Sequence, residues 1–247
     1  MDFTAVRKAG FDTETTGPDP ETARIVTAAV VAHGGGHADR VLTWLINPGV
    51  PIPPEATAIH GVDDATAQAK GRQSKKALEK IAGTLASALR FGMPVVAFNL
   101  AFDWTVLDRE LLRHGLATMD QRVSGVPALV DPHVIDKQVI PRRRGSGMRK
   151  LQPTATVYGV VLEDWHTAEA DAVAALRIAE AQFARFPQLN SLVPAELFRA
   201  QQAWRAEQQA GLQEWFRTRA TPEQGGAPDK VIDGAWPLLS TTAGVAS

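Results

Sequence analysis

The chain contains no cysteine among its 247 residues. Disulfides, thiol catalysis and cysteine-ligated zinc are thereby excluded. It also lacks a charge of one sign: Lys and Arg number 26 against 27 Asp and Glu, a formal net charge of -1. Overall charge therefore carries no signal for a polyanionic partner, and only local clusters can. No apolar run approaches the ~20 residues of a membrane span. The start, Met1-Asp2-Phe3-Thr4, lacks the basic-then-apolar layout of a signal peptide. The expectation is a soluble cytoplasmic protein. What the chain does have is apolar content, 45%, enough for one substantial core with a smaller appendage.

The pattern over the first ~186 residues reads as strands followed by strand-helix alternation. Strands are expected at 5–13, 25–32 and 40–46, with the glycine-rich turn His33-Gly34-Gly35-Gly36-His37 joining the last two. Leu78, Ile81, Leu85 and Leu89 recur at helical spacing, and a short buried strand is expected at 94–98. Asn99 is a candidate cap for a helix bearing Val106, Leu107 and Leu111. A strand at 128–130, a short helix within 148–159 and a longer helix capped by Thr167 follow. Residues 1–187 are read as one domain. Residues 188–247 are read as a helix over 194–219 and a mostly irregular tail with one docked or docking apolar segment around Trp236.

The chemistry concentrates in four acids and one histidine. Asp12-Thr13-Glu14 ends the first apolar run, just before Thr15-Thr16-Gly17-Pro18. Side chains two apart on a strand share a face, so the two carboxylates stand side by side. Like charges so placed repel, more so when buried, and a divalent cation relieves them. Oxygen ligands without cysteine favour magnesium or manganese. Asp103 and Asp171 fall in the first turns of two helices, where α/β folds place ligands. His166 and Asp171 are five residues apart, about 140° around a regular helix. They converge only if His166 lies just before the helix, at its mouth. Taken singly, each of these residues is an ordinary strand end, helix-start charge or surface histidine. Their order and company fit two-metal phosphodiester hydrolysis with a histidine taking a proton from water.

Phe11-Asp12-Thr13-Glu14-Thr15-Thr16-Gly17, then Asn99-x-x-Phe102-Asp103, then His166-x4-Asp171-Ala172 resemble the three exonuclease motifs of the DEDDh family, the DnaQ-like group that includes the epsilon proofreading subunit of bacterial DNA polymerase III. Ile59-His60-Gly61-Val62 resembles a further element between the first two motifs. The resemblance covers about residues 5–186. It implies an α/β, RNase H-like fold: a mixed five-stranded sheet flanked by helices, here with a C-terminal helical extension. It implies 3′-to-5′ exonuclease activity releasing nucleoside 5′-monophosphates with two divalent cations, Mg²⁺ or Mn²⁺. Asp12, Glu14, Asp103 and Asp171 would be metal ligands and His166 the general base. Thr13, Thr15, Thr16, His60, Asn99 and Phe102 would lie on the substrate side. Trp165, before His166, departs from the polar residue usual in the family.

From Lys137 to Lys150 there are six basic residues and no acidic ones, in a Gly-Ser-Gly loop. Phosphate-backbone contact is expected there, with Arg149 as a substrate-side residue. Lys75-Lys76 is read as an ordinary helix start. Trp204, Trp215 and Trp236 are read as packing the C-terminal helix on its own domain, the alternative being a polymerase or a second copy of the chain. The expected partner is a single-stranded or frayed 3′ end of DNA, with a DNA polymerase subunit as a further candidate. Two rival readings stand beside it: an RNA-trimming exoribonuclease or oligoribonuclease, and a polymerase-associated nucleic-acid-binding scaffold.

Overall fold

A computed structural model describes residues 2–143, 145–161 and 166–241. Three antiparallel strands open the chain: β1 (Lys8–Thr15), β2 (Ile25–His33) and β3 (Arg40–Asn47). Then come α1 (Pro54–His60), α2 (Asp64–Lys70), β4 (Arg72–Gln73), α3 (Ser74–Arg90), β5 (Val95–Val96), α4 (Leu100–Arg113), α5 (Met119–Arg122) and β6 (Leu129–Val130). Helices α6 (Pro132–Val139), α7 (Leu151–Val157), α8 (Ala168–Arg185) and α9 (Pro194–Thr218) complete the order. The sheet runs β4-β3-β2-β1-β5-β6. It is mixed, because β5 and β6 extend it parallel to β1 while β4 lies parallel to β3. The expected α/β architecture is present with six strands rather than five. The addition is β4, whose two residues are too few to carry an alternation signal.

Alternation along β1 sorts its side chains into two cores. Ala9 and Phe11 join the larger cluster with Leu78, Ile81 and Leu85 of α3 and Leu107 of α4. Each such fully buried side chain contributes about 1.5–3 kcal/mol. Gly10 faces the other way, onto α8. A Cβ there would lie 2.7 Å from the Ala172 carbonyl oxygen and 2.7 Å from Leu176 Cδ1. The glycine thus permits a helix-to-sheet approach that no other residue allows. Ala172, Ala175, Leu176, Ala179 and Phe183 of α8 form the second core with Val31, Val96 and Val130. Because β1, β5 and β6 run parallel, their C-terminal ends lie at one end of the sheet.

The C-terminal part packs on this unit. Gln201 of α9 is fully buried. Its Oε1 accepts from the Asp131 amide at 2.7 Å and its Nε2 donates to the Leu129 carbonyl at 2.9 Å. One side-chain amide therefore takes the place of a neighbouring strand beside β6. After α9 the chain returns over α4, and Trp236 is buried in the larger core. Trp204 is partly buried between the two cores, while Trp215 stays partly exposed against Phe216. No helix among the described residues is long and apolar enough to cross a membrane.

Candidate active site

β1 delivers Asp12 and Glu14 to the α8 side of the sheet end, and a register shift between Glu14 and Thr15 bends the strand there. The close contact at Gly10 brings in the first turn of α8. As a result one carboxylate oxygen each from Asp12, Glu14 and Asp171 lie within 4.8 Å of one another. Asp171 Oδ1 is buried with no hydrogen-bond partner. Oxygen-only donors, mutual repulsion and an unmatched acceptor fit a hard divalent cation.

Asp103 reaches the same end from α4 and is 4% exposed. Its Oδ1 accepts from the Thr13 hydroxyl at 2.7 Å and the Thr13 amide at 3.0 Å. Thr13, on the opposite face of β1 from Asp12 and Glu14, thus serves Asp103. Asp103 lines the cleft with the other acids but stands outside the three-oxygen cluster. Burial pushes the Asp103 carboxyl up to about 7, against the lowering effect of Thr13. Burial raises Glu14 to about 7 as well, with Asp171 and Asp103 adding repulsion. Burial, then Asp103, Asp171 and Glu14, raise Asp12 well above the usual carboxylate range. Asp171 is raised by burial and eased back by His166, through its ring charge and its backbone amide.

His166 sits immediately before Thr167, whose hydroxyl caps α8 by accepting from the Ala170 amide at 3.2 Å. That is the helix-mouth position from which it can converge with Asp171. It is exposed and has φ 68°. Among the described residues the only other non-glycine with positive φ is Asn99, at 60°. Left-handed backbone at such residues costs about 1–3 kcal/mol each and concentrates at functional sites. Trp165 and Arg144 lie outside the described residues.

The expected Asn99 cap is corrected. Asn99 makes no side-chain bond to the start of α4. Asp131 caps it instead: its two carboxylate oxygens accept from the Asn99 and Leu100 amides, each at 3.0 Å. The left-handed turn at Asn99 points these amides at β6, where a buried acid waits. Asp131 also caps α6, accepting from the His133 amide at 2.9 Å. Asp131-Pro132 is itself a helix-start signature, so this signal lay in the sequence.

A cleft of about 540 Å³ is lined by Asp12, Glu14, Asp103 and Asp171 together with Asn99, Phe102 and Arg149. Phe98, His133 and Lys150, not singled out from the sequence, line it too. The Phe98 and His133 rings lie 5.2 Å apart. A second groove of about 1040 Å³ holds His60, Val62 and His166, with Glu14 at the junction. His60 Nδ1 accepts from the Val62 amide at 3.2 Å, and burial lowers its pKa. The Thr15 hydroxyl donates to the Gly17 carbonyl at 2.8 Å, and that of Thr16 accepts from the Arg24 amide at 3.0 Å. Arg149, although at the cleft, is engaged by Asp136 and by the Ile140 carbonyl. Arg143 also pairs with Asp136, whose Oδ1 accepts from the Tyr158 hydroxyl at 3.0 Å.

Residues 9–179 match the family model described as Exonuclease, RNase_T. Over 174 residues the chain is 29% identical to a DNA polymerase III PolC-type protein of Lacticaseibacillus paracasei, covering 70% of this chain and 11% of that protein. Over 115 residues it is 37% identical to a DNA polymerase III subunit epsilon-like protein of Rhodobacter capsulatus, covering 42% of this chain and 14% of that protein. The chain spans only a small part of the length of these curated relatives. In fold it is similar to exonuclease I of Methylocaldum szegediense, with TM-score 0.61 and 20% identity over 74% of this chain and 42% of that one. E. coli exonuclease I in complex with a dT13 oligonucleotide gives TM-score 0.60 at 18% identity, covering 75% and 42%. The match from the strand of paired acids to the helix that brings Asp171 shows that the chain belongs to the DnaQ-like exonuclease family.

Proposed function

We propose that this chain is a metal-dependent 3′-to-5′ exonuclease of the DEDDh type, acting on the 3′ end of single-stranded or frayed DNA and releasing nucleoside 5′-monophosphates. The observation that carries the reading is the meeting of Asp12, Glu14 and Asp171 oxygens within 4.8 Å, with Asp171 Oδ1 buried and unmatched. Two divalent cations, Mg²⁺ or Mn²⁺, would supply Lewis-acid activation of water and stabilise the leaving oxygen. Asp12, Glu14 and Asp171 would hold them, with Asp103 completing the set in an orientation fixed by Thr13. A ring nitrogen of exposed His166 accepts the proton of the attacking water, and Asp171 beside it stabilises the imidazolium. Phe102 and Asn99 flank the terminal nucleotide in the cleft. Thr15, Thr16 and His60 bound it on the other side, and Arg149 lies along the phosphate path.

Residues 1–187 form the exonuclease unit in this reading, and 188–247 its C-terminal helix and tail. The relatives' names motivate a DNA polymerase as partner, in a proofreading role. The test is digestion of single-stranded DNA labelled at either end, with Mg²⁺ or Mn²⁺, against EDTA and His166→Ala controls. A metal-dependent ladder shortening from the 3′ end, lost in the variant, is expected. Faster digestion of a matched RNA oligomer would move the substrate to RNA. Tight strand binding without cleavage in any metal would replace the reading with a scaffold.

A further inference from the structure

The start of α4 carries two of the cleft's residues, Phe102 and Asp103, yet supplies no cap of its own. It is held by Asp131, and Asp131 is held from behind by the C-terminal part of the chain. Gln201 receives its amide at 2.7 Å. Trp236 Nε1 points at Asp131 Oδ2 from 3.4 Å, the same oxygen that accepts from the Leu100 amide. Trp236 is 5% exposed, and its ring lies 5.0 Å from that of Phe198. The Gln202 side chain donates to its carbonyl at 3.1 Å.

The segment around Trp236 is shaped and anchored along its length. Asp233 accepts from the Ala235 amide at 2.8 Å and the Ser240 amide at 2.6 Å, closing a compact loop. Leu239 then bonds to α4 twice. Its amide donates to Thr105 Oγ1 at 2.9 Å, and its carbonyl accepts from Arg109 at 3.1 Å. Buried Arg205 of α9 stands close enough to both Asp131 and Asp233 for each to favour its charge. The strap therefore touches α4 one and two turns beyond the cleft and reaches its first turn through Asp131. All of it lies beyond residues 9–179, the stretch that matches the exonuclease family.

We propose that the C-terminal strap, residues 231–241, is a positioning element of the active site: Trp236, acting through Asp131, fixes the left-handed turn at Asn99 and with it the placement of Phe102 and Asp103. This rests on the exonuclease reading above. An exonuclease unit with its strap undocked keeps its acids but holds Asp103 and Asn99 loosely, so the cost falls on turnover more than on substrate binding.

The test uses the full-length chain with Trp236→Ala and Asp233→Asn. Steady-state cleavage of a labelled oligonucleotide is measured beside amide hydrogen exchange at residues 99–100 and thermal melting. Trp236→Ala is expected to lower kcat by about 10- to 100-fold with KM within about twofold of wild type, as misplacement by about an ångström does. The Asn99 and Leu100 amides would exchange faster while the sheet stays protected. Asp233→Asn, which opens the strap loop at the surface and leaves the core filled, shifts both readouts in the same direction by less. It decides the matter alone if Trp236→Ala fails to fold. Unchanged kcat in a folded variant, or unchanged protection at residues 99–100, would overturn the proposal. A wild-type chain that cleaves nothing counts against the exonuclease reading, and the exchange measurement still judges the strap.

Discussion

Two acidic sites, one lining the cleft and one reaching it through Arg149, are treated in opposite ways by the fold. Asp136 is 0% exposed and meets Arg143, Arg149 and the Tyr158 hydroxyl. Its charge is matched inside the protein, so breaking the set leaves cations stranded. Asp12, Glu14 and Asp171 meet one another; burial raises all three, repulsion adds to it at Asp12 and Glu14, and His166 eases Asp171. The left-handed backbone at Asn99 and His166 sits beside them. Two arginines match buried Asp136, whereas the other site gathers three acids with the His166 ring easing Asp171, an arrangement suited to a cation supplied from outside.

The strongest way to break this comparison is to remove one acid from each site. Asp12→Ala should lower metal-dependent hydrolysis by about 10³-fold or more, since metal activation supplies several kcal/mol. The fold should persist, because the acid lost was repelled rather than paired. Wild-type turnover in a metal-replete assay of this variant would remove the site's assignment. Asp136→Ala should do the reverse, costing about 3–5 kcal/mol of stability by leaving Arg143 and Arg149 without their partner. Urea unfolding measures this, and a midpoint equal to wild type would show the ion pairs to be ornamental.

Gly10→Ala tests how the cluster is assembled. Its Cβ would meet the Ala172 carbonyl at 2.7 Å, so α8 must retreat from β1 and carry Asp171 away from Asp12. A loss of about 1–3 kcal/mol is expected. Turnover should fall further than the folded fraction does. A variant as active as wild type per folded molecule would mean that Asp171 need not sit against Asp12.

The smallest effect is pH dependence without metal. Glu14 and Asp103 hold protons up to about 7, whereas unfolded carboxylates release them near about 4. Across that window the native state binds more protons than the unfolded one, so stability falls as pH rises. The metal-free chain should therefore melt lower at about pH 8 than at about pH 5, with Mg²⁺ narrowing the gap and Glu14→Gln flattening the slope. A metal-free chain that gained stability over this range would place those protons elsewhere.

The sequence exposes periodic features and hides long-range partnerships. The alternation of β1, the Leu78-Ile81-Leu85 stripe of α3 and the Thr167 cap are local patterns and appear where expected. Helices α1, α2 and α6 are eight residues or fewer, too short for a stripe to declare itself. The Asn99 cap failed because the better acceptor comes from Asp131, 32 residues on. The basic run reads as a phosphate-backbone contact, yet Arg143 and Arg149 turn inward to Asp136, the acid that stands just before it. Likewise the docked strap shows in sequence as an apolar patch, while its attachments to Thr105 and Asp131 exist only in three dimensions.

The Gln201 amide beside β6 has a consequence for assembly. By occupying the Leu129 carbonyl and the Asp131 amide it leaves a second molecule no template there for adding a strand. At the opposite border β4 offers two residues, Arg72 and Gln73, both exposed. The β6 border is thus closed by a side chain, whereas β4 covers only Ile46 and Asn47 of β3 at the other border. A companion adding a strand at β6 would first have to displace Gln201.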